Sequence, residues 1–152
     1  MDACIPTYDF RWREGPGILA DSQPMVRGVT IYIVDDSESV SESLSGLLRS
    51  CGFTTRVFAS AEAFLTAYEP ADTACLLLDV MMPGMSGLEL QERLRSDQPS
   101  LPIVFITART ETALHAKLLE RGAVACLIKP FSEEDLLAAV RTAATRAVAR
   151  RE

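Results

Sequence analysis

Apolar runs and helical periodicities alternate along this chain from residue 29 to about residue 145. Five short runs have the length and the apolar or β-branched composition of strands, and they cover residues 29–34, 54–58, 75–80, 103–107 and 125–128. The run at 75–80 (CLLLDV) is almost continuously apolar, which is typical of a strand that is buried on both faces.

Five further segments carry apolar residues at the spacing of an amphipathic helix. The predicted helices cover residues 37–51, 60–68, 86 to about 95, 112–121 and 132 onward. Gly52 stands where the residue after a helix C-terminus belongs. Ser86 and Glu89 form an S-x-x-E capping signature, and Ser60 can cap the second helix.

Strands that alternate with helices predict a parallel sheet covered by helices on both faces. Right-handed crossovers make such a sheet doubly wound, and five strand-helix units in about 120 residues favour the flavodoxin-like strand order 2-1-3-4-5. Binding sites of this fold lie at the carboxyl ends of the strands, beside the switch point between strands 1 and 3. We therefore predict a single α/β domain, a doubly wound (βα)5 fold with a five-stranded parallel sheet.

Polar side chains close four of the five predicted strands. Asp35 and Asp36 follow the first strand, Asp79 lies at the end of the third, Thr107 closes the fourth and Lys129 follows the fifth. Packing does not account for them, because each comes directly after apolar residues. In the predicted order these four strands are neighbours, so the five side chains should gather at one edge of the sheet.

The chemistry of this set indicates phosphoryl transfer. Three carboxylates in one cleft repel one another and stay ionised most readily around a cation, and hard oxygen ligands suit Mg²⁺. An ammonium group and a hydroxyl group could stabilise the oxygens of a phosphoryl group. A carboxylate can accept that group as an acyl phosphate, and Asp79 in the central strand is the best-placed nucleophile.

These residues resemble the receiver domain of bacterial two-component response regulators, which has a CheY-like fold. The resemblance rests on Asp35-Asp36, on Asp79 with MMPGMSG, on Thr107-Ala108 and on Lys129-Pro130-Phe131. The stretches FASAEAFL, LLLDVMMPGMSGLEL and GAVACLIKPFSEEDLL are similar to receivers of the FixJ type. The resemblance covers about residues 29–145, most of the chain.

The resemblance implies a role for each matching residue. Asp79 would accept a phosphoryl group from the histidine of a sensor histidine kinase or of a histidine phosphotransfer protein. Asp35, Asp36 and Asp79 would hold Mg²⁺ together with the backbone carbonyl of Met81. Lys129 would pair with the phosphoryl oxygens.

The resemblance also implies a switch. Thr107, followed by Ala108, would turn toward the phosphoryl group, and the peptide bond before Pro130 would be cis. A surface built from the fourth helix, the fifth strand and the fifth helix would then change its contacts with a downstream effector protein or in a homodimer. Cys126 stands where FixJ-type relatives carry Phe or Tyr, so we expect switching through loop movement and a small side chain.

Met81 and Arg109 follow Asp79 and Thr107 by two residues each. In the family these positions influence how quickly water reaches the acyl phosphate. A bulky Met and a long Arg could shield it, and both could equally be solvent-exposed loop side chains.

Composition narrows the class of protein further. The chain has 152 residues, and 21 acidic against 15 basic residues give a net charge of −6, which argues against direct nucleic-acid binding. No apolar run approaches the ~20 residues of a membrane span, and no signal peptide is evident. The sequence therefore predicts a cytoplasmic protein without a membrane partner. Its four cysteines form no C-x-x-C pair and are expected to be buried free thiols.

We expect three segments: residues 1–28 as a mostly irregular N-terminal extension, 29–146 as the receiver domain and 147–152 as the tail of the last helix. In the extension Tyr8, Phe10 and Trp12 alternate with charged residues, a pattern that suits either an extended arm or a floppy leader. FixJ-type regulators continue into a helix-turn-helix domain, so the expectation is a receiver without an output domain.

The main interpretation is a regulatory phosphoacceptor rather than an enzyme, with slow autodephosphorylation only. The alternatives are a phosphorylation-independent binding module of the same fold and the receiver fragment of a FixJ-type transcriptional regulator. A Mg²⁺-dependent phosphohydrolase with an aspartyl nucleophile is disfavoured, because Val80 and Met81 follow Asp79 where such enzymes carry a second acid two residues on.

Overall fold

The computed structural model describes residues 28–69, 73–97 and 100–151. The strands are β1 Thr30–Val34, β2 Thr54–Phe58, β3 Ala74–Asp79, β4 Ile103–Thr107 and β5 Ala125–Ile128. The helices are α1 Glu38–Ser50, α2 Ala61–Ala67, α3 Gly87–Asp97, α4 Thr112–Glu120 and α5 Glu133–Arg151. The predicted bounds agree with these to within one or two residues. The predicted N-terminal extension covers residues 1–28, and almost all of it lies outside the described residues.

All pairings in the sheet are parallel, and the strand order is β2-β1-β3-β4-β5. This confirms the predicted doubly wound fold and its strand order. Val34 pairs with Leu78, and Asp79 pairs with Ile106. The carboxyl ends of β1, β3 and β4 are therefore level with one another, and polar residues that follow them meet at one edge of the sheet.

The two faces of the sheet carry separate apolar layers. Ile31 and Ile33 of β1 belong to the layer covered by α1 and α5, whereas Tyr32 and Val34 belong to the layer covered by α2, α3 and α4. The inner strands β3 and β4 are buried along their whole length. For β3 the continuous apolar run had predicted this burial. The edge strands β2 and β5 are partly exposed, because each has a neighbour on one side only.

The loop between β3 and α3 is fixed where it enters α3. Ser86 Oγ accepts a hydrogen bond from Glu89 N at 3.2 Å, and Glu89 Oε1 accepts one from Ser86 N at 2.8 Å, so the predicted capping box is formed. Glu62 Oε2 on α2 accepts a hydrogen bond from Met85 N at 3.0 Å. These contacts fix Met85 and Ser86 relative to α2 and to the first turn of α3.

The cysteines are less uniformly buried than the sequence suggested. Cys51, Cys75 and Cys126 are free thiols, but only Cys75 is fully buried, and the other two are half-buried near the ends of their elements. Burial raises the pKa of the Cys75 thiol to about 12, which leaves it un-ionised at neutral pH. Cys4 lies outside the described residues.

No helix within the described ranges is both long and apolar enough to cross a bilayer.

Candidate functional site

The structure brings the three strand-end carboxylates together. One oxygen from each of Asp35, Asp36 and Asp79 lies within 4.8 Å of the others. Asp35 and Asp79 are buried, while Asp36 is exposed and opens the cluster to solvent. Such a set of hard oxygen atoms, with one exposed member, fits a divalent cation such as Mg²⁺ that keeps part of its water shell.

Asp35 is held from two sides. Its Oδ1 accepts a hydrogen bond from Ser37 N at 2.8 Å, and its Oδ2 lies 3.0 Å from Lys129 Nζ. Ser37 is the N-cap of α1, so the carboxylate sits at a helix N-terminus, where negative charge is favoured. Ser41 Oγ donates to the backbone carbonyl of Asp35 at 3.2 Å. These partners fix Asp35 before any ligand arrives.

The negative charge of Asp79 is less well balanced by neighbouring groups than that of Asp35. Its Oδ2 lies 3.8 Å from Lys129 Nζ, and its Oδ1 accepts a hydrogen bond from Met81 N at 3.3 Å. Burial and the charge of Asp35 raise the pKa of Asp79 to about 6, with Lys129 acting in the opposite direction. The ionised form of Asp79 is therefore only partly balanced by Lys129. A bound cation would add positive charge next to it.

Gly87, the first residue of α3, packs directly against the backbone of Asp79. A Cβ atom at this position would lie 2.4 Å from Asp79 O and 2.9 Å from Val80 Cα. Gly87 N also donates to Val80 O at 2.9 Å. The sequence pattern placed this glycine in a loop motif and gave it no part in the site, because close approach of a backbone leaves no periodic signal.

Thr107 is completely buried at the end of β4. Its Oγ1 accepts a hydrogen bond from Arg109 N at 2.9 Å, and its backbone carbonyl accepts one from Lys129 N at 2.7 Å. Ala108 between them is exposed. Thr107 thus connects the loop after β4 with the residue that follows β5.

Arg109, in the loop after β4, contacts Met81, in the loop after β3. Arg109 Nη1 lies 3.7 Å from Met81 Sδ, although both side chains are largely exposed. The guanidinium group also binds Glu111, with Nη2 and Nε at 2.8 and 3.0 Å from Oε2. No motif or spacing in the sequence predicted the contacts of Arg109 with Met81 and Glu111. The side chains of Met81 and Arg109 are therefore in contact with each other.

The residues predicted to take part in switching include a small side chain on β5 and a cis peptide bond that follows this strand. Cys126 is half-buried against the apolar layer of α2, α3 and α4, and it pairs in register with Phe105. The Lys129–Pro130 peptide bond is cis. Within the described residues, no aromatic side chain occupies β5 itself.

Comparisons with known proteins place this fold and site in one class, the receiver domains of response regulators. The model of the family "Response regulator receiver domain" matches residues 31–141. The chain therefore belongs to this family, which acts in two-component signalling.

Similar curated proteins are also response regulators. The chain is 43% identical over 131 residues to the response regulator protein TmoT of Ectopseudomonas mendocina, covering 86% of this chain and 60% of TmoT. It is 37% identical over 117 residues to the transcriptional regulatory protein FixJ of Bradyrhizobium diazoefficiens, covering 77% of this chain and 57% of FixJ. The chain thus spans about three fifths of the length of these relatives.

Solved structures of similar proteins have the same fold. A structure of the response regulator StyR superposes with a TM-score of 0.77 at 43% identity, covering 82% of this chain and 63% of StyR. A crystal structure titled FixJ-N gives a TM-score of 0.70 at 33% identity, covering 80% of this chain and 94% of the other.

Proposed function

We propose that this chain is a phosphoacceptor in which Asp79 takes a phosphoryl group, in the presence of Mg²⁺, from the phosphohistidine of a sensor histidine kinase or of a histidine phosphotransfer protein. The observation that carries the proposal is the cluster at the sheet edge. There the carboxylate of Asp79 lies beside Asp35, Asp36 and the ammonium group of Lys129.

The reaction needs one nucleophile and stabilisation of the phosphoryl oxygens. An Asp79 carboxylate oxygen attacks the phosphorus atom, a P–O bond forms, and the P–N bond to the donor histidine breaks with both electrons passing to the imidazole nitrogen. Lys129 Nζ lies 3.8 Å from the Asp79 Oδ2 atom, and it would bind the incoming oxygens. The Thr107 hydroxyl would leave Arg109 N and turn to the same group.

Asp35, Asp36, Asp79 and the backbone carbonyl of Met81 would hold the Mg²⁺ ion. When bound, the ion supplies positive charge that lowers the repulsion between the carboxylates and the incoming phosphoryl group. The raised pKa of Asp79 supports this assignment, because burial and Asp35 leave its ionised form short of positive charge.

Phosphorylation adds about 1.5 to 2 negative charges and three acceptor oxygens, which would shift the surface of α4, β5 and α5 between two states. We propose that this surface binds a downstream effector protein in the cytoplasm, or a second copy of the chain. Leu119 of α4 and Ile128 of β5 support this, because both are exposed large apolar side chains.

Acetyl phosphate and Mg²⁺ test the proposal directly. The wild-type chain should gain the mass of one HPO₃ group, and the Asp79→Asn variant should gain none. Asp97→Asn, an exposed aspartate at the end of α3, is the matched control and should be phosphorylated normally. Absence of an adduct in the wild type would favour a phosphorylation-independent binding module, and continued turnover of phosphate esters would indicate a phosphohydrolase.

Arg109→Ala should shorten the lifetime of the phosphorylated protein about fivefold, since easier access for water worth about 1 kcal/mol of barrier has this effect. The decay of the mass adduct after removal of the donor measures it. Arg95→Ala, an exposed arginine paired with Glu92 on α3, should leave the lifetime unchanged. An unchanged lifetime in Arg109→Ala would reject the shielding role.

In the Cys126→Ala variant, phosphorylation should still change the conformation of α4. The side chain is small and only half-buried, so its loss should cost no more than about 1 kcal/mol of stability. Amide NMR shifts of α4 with and without phosphorylation provide the measurement. Loss of the shift changes in a folded variant would show that the thiol itself transmits the signal.

A further inference from the structure

Helix α4 is most deeply buried near its C-terminal end, whereas Leu114 in its N-terminal half is only partly buried against the same apolar layer. Among the described residues, Leu118 is its one fully buried side chain. At its N-terminal end, the N-cap residue Glu111 makes no side-chain capping hydrogen bond within the described part of the chain, and residues 111–113 are exposed. The two ends of the helix therefore differ in how firmly they are fixed.

Two residues of α3 fasten the C-terminal end of α4. The buried side chain of Gln91 donates from Nε2 to Leu118 O at 3.2 Å. The neighbouring Glu92 forms an ion pair with Arg121, with Oε1 and Nη1 at 3.4 Å. The buried hydrogen bond matters more, because an exposed ion pair contributes at most about 1 kcal/mol.

His115 connects the N-terminal part of α4 to the backbone of the loop after β4, and the Glu111 carboxylate binds the Arg109 side chain of the same loop. His115 Nε2 lies 2.8 Å from Arg109 O. A carbonyl oxygen only accepts hydrogen bonds, so His115 donates through Nε2–H. Arg109 N in turn donates to Thr107 Oγ1 at 2.9 Å. An unbroken series of contacts thus joins the buried hydroxyl to the helix.

We infer that His115 is a positioning residue that makes α4 a lever: the helix is fixed near Leu118, and the loop residue Arg109 moves its N-terminal half through His115. When the Thr107 hydroxyl turns to the phosphoryl group, Arg109 N loses its acceptor and the loop backbone moves. His115 carries that movement into the N-terminal half of α4, while Gln91 holds the other end. The inference rests on the proposed phosphorylation of Asp79.

The test compares hydrogen exchange of α4 amides, with and without acetyl phosphate and Mg²⁺, in four forms of the full chain. These are the wild type, His115→Ala, His115→Gln, which keeps an N–H donor, and Lys117→Ala, an exposed residue of the same helix that serves as the matched control. Intact mass reports phosphorylation of the same samples, so failure of the acceptor reaction is seen separately from failure of the lever.

His115→Ala should accept the phosphoryl group at close to the wild-type rate. In its resting state the amides that close the first turn of α4 (residues 115–117) should exchange about fivefold faster, as expected for loss of one hydrogen bond, with the amides of residues 119–122 unchanged. Its phosphorylation-induced change in that turn should fall to less than half of the wild-type change, and His115→Gln should restore part of it.

Two results would overturn the lever. In the first, phosphorylated His115→Ala shows the full wild-type change in α4. In the second, Lys117→Ala loses the change to the same extent, which would reduce the effect to general weakening of the helix. A wild-type chain that gains no phosphoryl group would instead overturn the proposed function, and the lever with it.

Discussion

The Gly87→Ala variant is expected to lose about 3 kcal/mol of folding free energy and to be phosphorylated at least tenfold more slowly. The added Cβ would lie 2.4 Å from Asp79 O and 2.9 Å from Val80 Cα. Both contacts are with backbone atoms, which cannot rotate away as a flexible side chain would. The start of α3 or the end of β3 must therefore move.

That movement is the reason why the expected effect on the reaction is large. The nearest atom that the new methyl group would displace belongs to Asp79, the proposed nucleophile, and a shift of about 1 Å in a reacting group can reduce a rate about a hundredfold. Chemical denaturation measures the stability loss, and the rate of adduct formation measures the effect on the site.

Gly46→Ala is the matched control. Gly46 lies in α1, and nothing comes within 4 Å of the position where its Cβ would be. Alanine should raise stability there by about 0.5–1 kcal/mol, because it favours the helix more than glycine does. If Gly87→Ala proved as stable and as reactive as Gly46→Ala, the close packing between α3 and β3 would not govern the site.

The Asp79→Asn variant should be more stable than the wild type by about 1–3 kcal/mol at pH 7.5 in Mg²⁺-free buffer, although it accepts no phosphoryl group. Burial and the charge of Asp35 raise the pKa of Asp79 in the folded chain to about 6, whereas an unfolded aspartate titrates near 3.9. The native state therefore favours the protonated carboxyl. That stabilisation is complete below about pH 4 and is lost as the pH rises through 6.

The asparagine side chain carries no charge at any of these pH values. Its advantage in free energy of unfolding should therefore be small at pH 4, grow between pH 4 and 6, and level off above. Addition of Mg²⁺ should narrow the difference by stabilising the wild type. Asp97→Asn, at an exposed position, should show little change across the range. An advantage for Asp79→Asn that does not depend on pH would contradict the electrostatic explanation.

The strand order and most element bounds could be predicted because they depend on regular patterns. The apolar run of β3 is long and continuous, and Ser86 with Glu89 marks the start of α3 by the spacing of a capping box. Parallel strands end at one edge of a sheet, so the residues at their ends could be expected to lie close together. This applies to Asp35, Asp79 and Lys129. Their roles in the reaction remain predictions.

Contacts between loops and neighbouring helices could not be predicted in the same way. The bond from His115 to the Arg109 carbonyl depends on the course of the loop after β4, and the bond from Gln91 to Leu118 O depends on how α3 and α4 pack. Neither contact has a fixed sequence spacing. The partial exposure of Cys126 likewise follows from the position of β5 at the sheet edge, which apolar composition alone does not report.

Lys129 has one positive charge to divide between two carboxylates, at 3.0 Å from Asp35 and 3.8 Å from Asp79. In the resting chain the nearer partner is Asp35. A phosphoryl group on Asp79 would reverse this preference, because it brings nearly twice the charge of a carboxylate and three acceptor oxygens. The amino group would then leave Asp35 and draw the end of β5 with it. The position of the end of β5 would thus change on phosphorylation, even though Cys126 has no aromatic ring that could rotate.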